Sequence, residues 1–344
     1  MVPARMAVTI QAWAESMPLA VRFRGNRLGT SWGRYLSGSA LTPAQTGSYH
    51  ERVIGETRVS RRLLADLALL AVAGFWGLTF PLGKIVLAAL HPFTYLAARF
   101  TIGAVLLVAG LPAARLAMPP RRWLAALGVG TVFFFGYALQ TVGLRLTTAS
   151  NTAFITGLST ALVPVIWAIW YRRLPRPGVL AGIAAATAGL ALLTLSDSVR
   201  PNLGDVLVLG CAFMFALHIV LIGRLARAID PVAFATAQVL PVGVFSMLAA
   251  SAERPLASLA AASAPVWGMV VFMAVTGTVF GMLVQTWAQR ITTPSHTGLM
   301  FTFEPVAAAL ASYLILGEIL IGRQALGAGL ILAGIVLAEL KQDG

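Results

Sequence analysis

From Leu63 to Leu340 the chain alternates long apolar runs with short polar punctuation. A hydrocarbon core about 30 Å thick is crossed by a helix of about 20 apolar residues. Runs of that size fall at Leu63–Val86, Pro92–Gly110, Trp123–Leu144, Thr148–Trp170, Pro177–Leu195, Leu203–Ile222, Pro231–Ser251, Ala264–Trp287, Pro294–Leu316 and Arg323–Leu340. His91-Pro92, Pro119-Pro120, Pro175-Arg176-Pro177 and Asp230-Pro231 separate them and mark helix boundaries. The pattern predicts an all-α polytopic membrane protein of about ten transmembrane helices, with the shortest gap before the span at Thr148.

A second periodicity lies above the helical one. Phe135-Gly136-Tyr137-Ala138-Leu139-Gln140-Thr141 returns as Phe280-Gly281-Met282-Leu283-Val284-Gln285-Thr286, shifted by 145 residues (140 to 285). The same shift pairs Arg145 with Arg290, Thr147-Thr148 with Thr292-Thr293, Ser150 with Ser295, Gly182 with Gly327 and Gly189 with Gly334. Earlier in each half the shift is 139 (66 to 205), pairing Asp66 with Asp205 and His91-Pro92 with Asp230-Pro231. Self-similarity on this scale means duplicated architecture. Each half holds about five spans, and an odd number forces the second half to enter the membrane the opposite way up. Two inverted five-helix repeats are therefore expected, over 63–196 and 203–340. Such repeats are common in transporters, with the solute held near the midplane between them. A duplicated bundle without transport is the plainer alternative.

Composition agrees. Of the 344 residues, 58% are hydrophobic and only 11% charged, against about 25% charged in soluble domains. So few charges cannot cover a water-facing surface. The formal net charge of +13 does not point to nucleic acid, because no Lys/Arg stripe with interleaved aromatics occurs. The charges sit in the first 62 residues and in short loops. With a cytoplasmic N-terminus, Arg115, Arg121, Arg122, Arg172, Arg173, Arg176, Arg224, Arg227, Arg290 and Lys341 lie inside. Only Arg145, Arg200, Arg254 and Arg323 lie outside. The bias places both termini in the cytoplasm, in a cell (inner) membrane. Residues 1–62 form an Arg-rich tail without a sustained apolar period and are expected to be disordered. Cys211 is the only cysteine, so no internal disulfide can form.

Further residues carry a family resemblance. They are Phe75-Trp76-Gly77-Leu78-Thr79-Phe80, Ala98-Arg99-Phe100, the run Gly143-Leu144-Arg145-Leu146-Thr147-Thr148-Ala149-Ser150-Asn151-Thr152-Ala153-Phe154-Ile155 with Pro164 downstream, Phe303-Glu304-Pro305-Val306, and Leu316-Gly317-Glu318. In this order they resemble the EamA-type transporters of the drug/metabolite transporter superfamily, over roughly Leu63 to Leu340. The resemblance implies ten helices in two inverted repeats and export of amino acids or related metabolites. One departure stands out. Leu-Gly-Glu often closes the fourth helix in the family too, where this chain has Tyr171-Arg172-Arg173-Leu174.

Ionisable groups at membrane depth cost about 2.5–3.5 kcal/mol on insertion scales, so each needs a reason. Glu304 lies about 15 Å into the ninth span at 1.5 Å per residue, and Pro305 after it removes a backbone donor and kinks the helix. Pro164 is a second kink. Two readings of Glu304 stand open: it binds a substrate ammonium or carries a coupling proton, or it is a structural carboxylate paired with Arg99. Arg99 could clamp a substrate carboxylate, although an internal counter-ion or a side chain snorkelling to the outer interface is favoured. Lys84, near its helix end, is expected to snorkel. Gln140 with Gln285 and Asn151 with His296 are equivalent pairs that could line the cavity, or bond between helices. Trp76, Thr79 and Tyr137 are cavity-wall candidates, as is Trp167, with plain packing as the alternative. His218 and His296 lack a second ligand at helical spacing, so no metal site or cofactor is expected, and both stand as cavity candidates instead.

No Gly-x-Ser-x-Gly or His-Glu-x-x-His occurs, which argues against an intramembrane enzyme. No repeated filter sequence suggests a channel. A structural membrane subunit is the remaining alternative. The favoured reading is a secondary transporter exporting a small organic solute by alternating access, with lipid, cargo and possible coupling protons as its partners.

Overall fold

In the computed structural model, residues 43–110, 118–172, 177–194, 202–316 and 322–340 are described. Residues 1–42 of the expected tail, the charges Arg115, Arg173, Arg176, Arg200 and Lys341, and Glu318 lie outside them. Residues 1–58 and 59–344 form two separate units. The described residues are helical throughout apart from short turns, and no strand occurs among them.

Among the described residues, eight segments are long and apolar enough to cross a membrane: Arg61–Ala89, Pro92–Ala109, Pro120–Leu146, Asn151–Tyr171, Leu203–Ala228, Pro231–Glu253, Ala264–Ala288 and Pro294–Ile315. A shorter apolar helix follows at Pro177–Gly189, within the helix Pro177–Thr194. The helix Gly322–Leu340 lies where the tenth span was expected. The membrane segment starting at Arg61 belongs to a helix that begins at Pro43, well before the expected Leu63.

The helix starts follow local chemistry. Pro is the first residue of many of these helices, where its missing N–H costs nothing. Asn202 and Asp205 form a reciprocal capping box at Leu203. The Asp230 carboxylate accepts from the N–H groups of Val232 and Ala233. Leu106, Val108, Leu209, Phe213, Met247, Leu248, Leu310 and Leu314 are exposed apolar side chains on the outside of the bundle. Apolar residues facing outward on this scale fit lipid rather than water.

The repeats pack through a pseudo-twofold. A Cβ on Gly189 would lie 2.6 Å from the Gly327 carbonyl oxygen, and one on Gly334 would lie 2.6 Å from the Gly182 carbonyl oxygen. Gly182 and Gly327 are equivalent positions, as are Gly189 and Gly334, so each contact is the mate of the other. A self-complementary contact of this kind is what a two-fold axis generates. Small residues let the two backbones approach this closely.

Two further ties are mates in the same sense. Asp66 of the first span lies 2.8 Å from His296 Nε2 at the start of the ninth. Its equivalent, Asp205, accepts from the Thr147 hydroxyl at 2.7 Å. Asn151, the equivalent of His296, donates to that hydroxyl at 3.4 Å. In each tie a carboxylate opening one repeat meets residues at the start of the fourth span of the other. One tie carries an imidazole and the other a hydroxyl with two amides.

Candidate functional site

The α-helical hydrogen bonding of the fourth span of each repeat is interrupted at one residue, where the backbone stays in the right-handed helical region. In the first repeat the helices Ala149–Gly157 and Ser159–Tyr171 meet at Leu158. In the second, Pro294–Phe301 and Phe303–Leu316 meet at Thr302. At both breaks the backbone tightens to three-residue spacing, Leu158 N–H donating to Ile155 and Thr302 N–H to Leu299. The hydroxyls of Thr160 and Thr302 donate to the carbonyls of Gly157 and Leu299. Pro164 has no N–H to offer the Thr160 carbonyl one turn back. Pro305 sits in the first turn of its helix segment, where an N–H would lack a helical acceptor anyway.

Between the breaks lies a cavity enclosing about 530 Å³ of atom-free space, its open mouth included. Its lining is quasi-symmetric. By the repeat, Trp76 answers to Phe215, Thr79 to His218, Gln140 to Gln285, Thr156 to Phe301 and Ser159 to Glu304, and all ten line it. Phe133, Tyr137, Gly157, Thr160 and Ile219 complete the wall. The cavity therefore sits on the pseudo-twofold. Its symmetry is broken chemically, because one break presents a hydroxyl where the other presents a carboxyl group.

Most polar groups around it are engaged. Trp76 Nε1 donates to the Gly277 carbonyl at 2.8 Å. The Thr79 hydroxyl donates to the Trp76 carbonyl. Gln140 Nε2 donates to Thr156 at 3.1 Å. His218 Nε2 lies 2.8 Å from Gln238 Oε1, and the imidazole stacks on Phe133 at 4.2 Å between centroids. Gln285 Nε2 donates to Gln289, while its Oε1 is buried without a hydrogen-bond partner. The Glu304 carboxyl group makes no hydrogen bond among the described residues.

Seven expected residues line the cavity: Trp76, Thr79, Tyr137, Gln140, His218, Gln285 and Glu304. Arg99 does not. It is 2% exposed, and its guanidinium donates to Thr278 at 3.0 Å, Tyr95 at 3.1 Å and Tyr137 at 3.5 Å. It also lies over the rings of Phe100 and Tyr137. Arg99 is thus neither snorkelling nor paired with Glu304. Hydroxyls at hydrogen-bond distance hold it inside the bundle, where no lipid headgroup is within reach. Its Thr278 partner lies in a π-helical turn, Ala274–Phe280, that opens the eighth span locally. Asn151 and His296 belong to the inter-repeat ties rather than the cavity. Trp167 stacks on Tyr171 with centroids 4.0 Å apart. Lys84 turns back to cap the third span, donating to the carbonyls of Leu144 at 2.7 Å and Thr147 at 2.6 Å. Phe133, Thr156, Ser159, Thr160, Phe215 and Phe301 had not been expected here. The shifts of 139 and 145 residues, applied to Trp76, Thr79 and Glu304, would have found Phe215 and Ser159 and linked His218 to Thr79.

The model of the EamA-like transporter family matches twice, over residues 63–195 and 202–340. The chain belongs to this family of membrane transporters, within the drug/metabolite transporter superfamily. It is 31% identical over 287 residues to an uncharacterized transporter of Archaeoglobus fulgidus, covering 82% of this chain and 87% of that protein. With the uncharacterized transporter YyaM of Bacillus subtilis it shares 27% identity over 290 residues, 79% of this chain and 92% of the relative. A crystal structure titled only as that of a protein has the same fold. Its TM-score is 0.67 at 20% identity, with 81% of this chain and 97% of the other covered.

Proposed function

We propose that the chain is a secondary transporter exporting a small organic solute by alternating access, with the cavity between its repeats as the binding site. The observation that carries this reading is one cavity lined by equivalent residues of both repeats, with a tightened turn of each fourth span beside it. Transporters built from inverted repeats commonly hold cargo near the midplane between them.

The inter-repeat ties support the alternation. The loop charge favours a cytoplasmic position for both termini. Asp66–His296 then lies at the cytoplasmic end and Asp205–Thr147–Asn151 at the outer end. Releasing one tie while keeping the other opens the cavity to one face. Two related halves give two states of similar energy, which a modest cargo affinity difference can shift. Glu304, the carboxyl group lining the cavity, carries the coupling proton.

The test is flux in proteoliposomes. Purified full-length chain is reconstituted, vesicles are loaded with a panel of amino acids, amines and other metabolites, and exchange is followed with and without a pH gradient. Saturable, selective flux that steepens with the gradient is expected. Flux indifferent to the gradient would remove the proton from the account. Silence across the panel, from protein shown to be folded, would contradict transport by this cavity.

A further inference from the structure

The chemistry of the cavity wall narrows the cargo. The lining carries Trp76, Phe133, Tyr137, Phe215 and Phe301, with the His218 ring stacked on Phe133. Trp76 and Phe301 lie with centroids 4.8 Å apart, and Tyr137 contacts Phe133 and Phe215 edge-on at 4.8 and 5.3 Å. Such a wall offers π-faces to a flat apolar body and to a cation.

The unspent polar atoms lean towards acceptors. Trp76, Thr79 and Thr160 use their donors within the protein, and Gln140 and Gln285 each use one of their two amide N–H groups. Gln285 Oε1 is an acceptor with no hydrogen-bond partner, on a residue 1% exposed. The Glu304 carboxyl group, likewise without a hydrogen bond among the described residues, is a second acceptor. The Ser159 and Tyr137 hydroxyls can serve either way. Among the described residues, no Lys or Arg lines the cavity. The Arg99 guanidinium stands behind Tyr137 with its nitrogens on Thr278, Tyr95 and Tyr137. A carboxylate cargo would meet a carboxyl group and a buried amide oxygen without a cation to balance it. An ammonium bearing N–H groups satisfies both acceptors while its body rests on the aromatic wall.

We infer that the cargo is a protonated organic amine carrying an aromatic or similarly flat apolar body, held by Glu304 and Gln285. The assignment rests on the cavity being the transport site.

The test uses the full chain in proteoliposomes with radiolabelled tryptamine. The competitors are indole-3-propionate, which exchanges the amine for a carboxylate, and tryptophan, which carries both groups. Saturable tryptamine exchange is expected, with indole-3-propionate weaker as a competitor by about tenfold or more. Gln285→Leu should weaken tryptamine by about tenfold or more, the effect of losing one hydrogen bond to a charged group. Glu304→Asp, which keeps the charge on a shorter arm, should still select amine over carboxylate. Saturable flux of the carboxylate or the zwitterion with tryptamine excluded would overturn the amine assignment and leave transport standing. No flux for any of the three compounds, when another solute of the wider panel is carried, would also overturn it. Silence of the whole panel would overturn the transport reading itself.

Discussion

Glu304→Gln should leave a folded protein that has lost most of its transport. Glutamine keeps the shape of the side chain, and the carboxyl group makes no hydrogen bond among the described residues that the change would break. Packing beside it is close: a Cβ on Gly77 would lie 2.5 Å from the Glu304 carbonyl oxygen. Because the backbone and Cβ of Glu304 are untouched, this contact between the first and ninth spans survives. What is lost is the ability to hold a proton or to balance a cation in a site lined by five aromatic side chains. A desolvated contact between charges is worth about 2 kcal/mol, so flux at subsaturating cargo should fall roughly 30-fold. Size-exclusion profile and thermal unfolding in detergent should match the parent. Full flux with an undiminished response to the pH gradient would remove Glu304 from the mechanism.

The second large effect concerns the glycines where the repeats meet. Gly189→Val and Gly334→Val each place a β-branched side chain where a single Cβ would already be 2.6 Å from a backbone carbonyl oxygen. The next atoms are also backbone, Ile331 N at 2.8 Å for Gly189 and Ala186 N at 3.0 Å for Gly334. A helix backbone cannot rotate aside as a side chain can, so the helices Pro177–Thr194 and Gly322–Leu340 must separate. Overpacking of this kind costs about 1–3 kcal/mol, at the upper end where backbone has to move. Thermal unfolding in detergent should drop by several degrees for each variant. Because the contacts are mates across the pseudo-twofold, the two losses should be alike. Gly329→Ala is the control: nothing lies within 4 Å of its Cβ, and helix propensity favours alanine. A large loss from one valine and none from the other would contradict the symmetric packing.

These predictions mark how far the sequence could be read. Span positions followed from apolar run length, and the duplication from matches such as Gln140 with Gln285, both of which line the cavity. The glycine pairs were visible as repeats, and their mutual contact is a natural result of an axis passing between them. The helix breaks were not visible. Hydropathy runs unbroken across Leu158 and Thr302, and only local hydrogen bonding separates the segments on either side. Equivalence also says nothing about depth. Asn151 and His296 are a true pair, yet they lie at the starts of their helices and tie the repeats together near the ends of the bundle. Trp76 with Phe215 and Thr79 with His218 are equivalent in position but differ in chemistry, so a search for identical residues passed over them. Arg99 looked able to snorkel because its distance from the helix end allowed it. The hydroxyl of Tyr95, one turn away on the same helix, and that of Thr278 on another span supply what the interface would have.

Alternating access requires one cavity that opens in turn to each side of the membrane. Accessibility of Ser159, at one helix break, tests this most directly. Cys211, the only cysteine, is replaced by alanine, Ser159→Cys is introduced, and sealed vesicles of each orientation are treated with a membrane-impermeant maleimide. Alternating access predicts labelling of this cysteine from both faces, slowed in both orientations by a saturating cargo identified in the flux panel. Labelling from one face only in every condition, while a loop cysteine on the other face reacts normally, would contradict it.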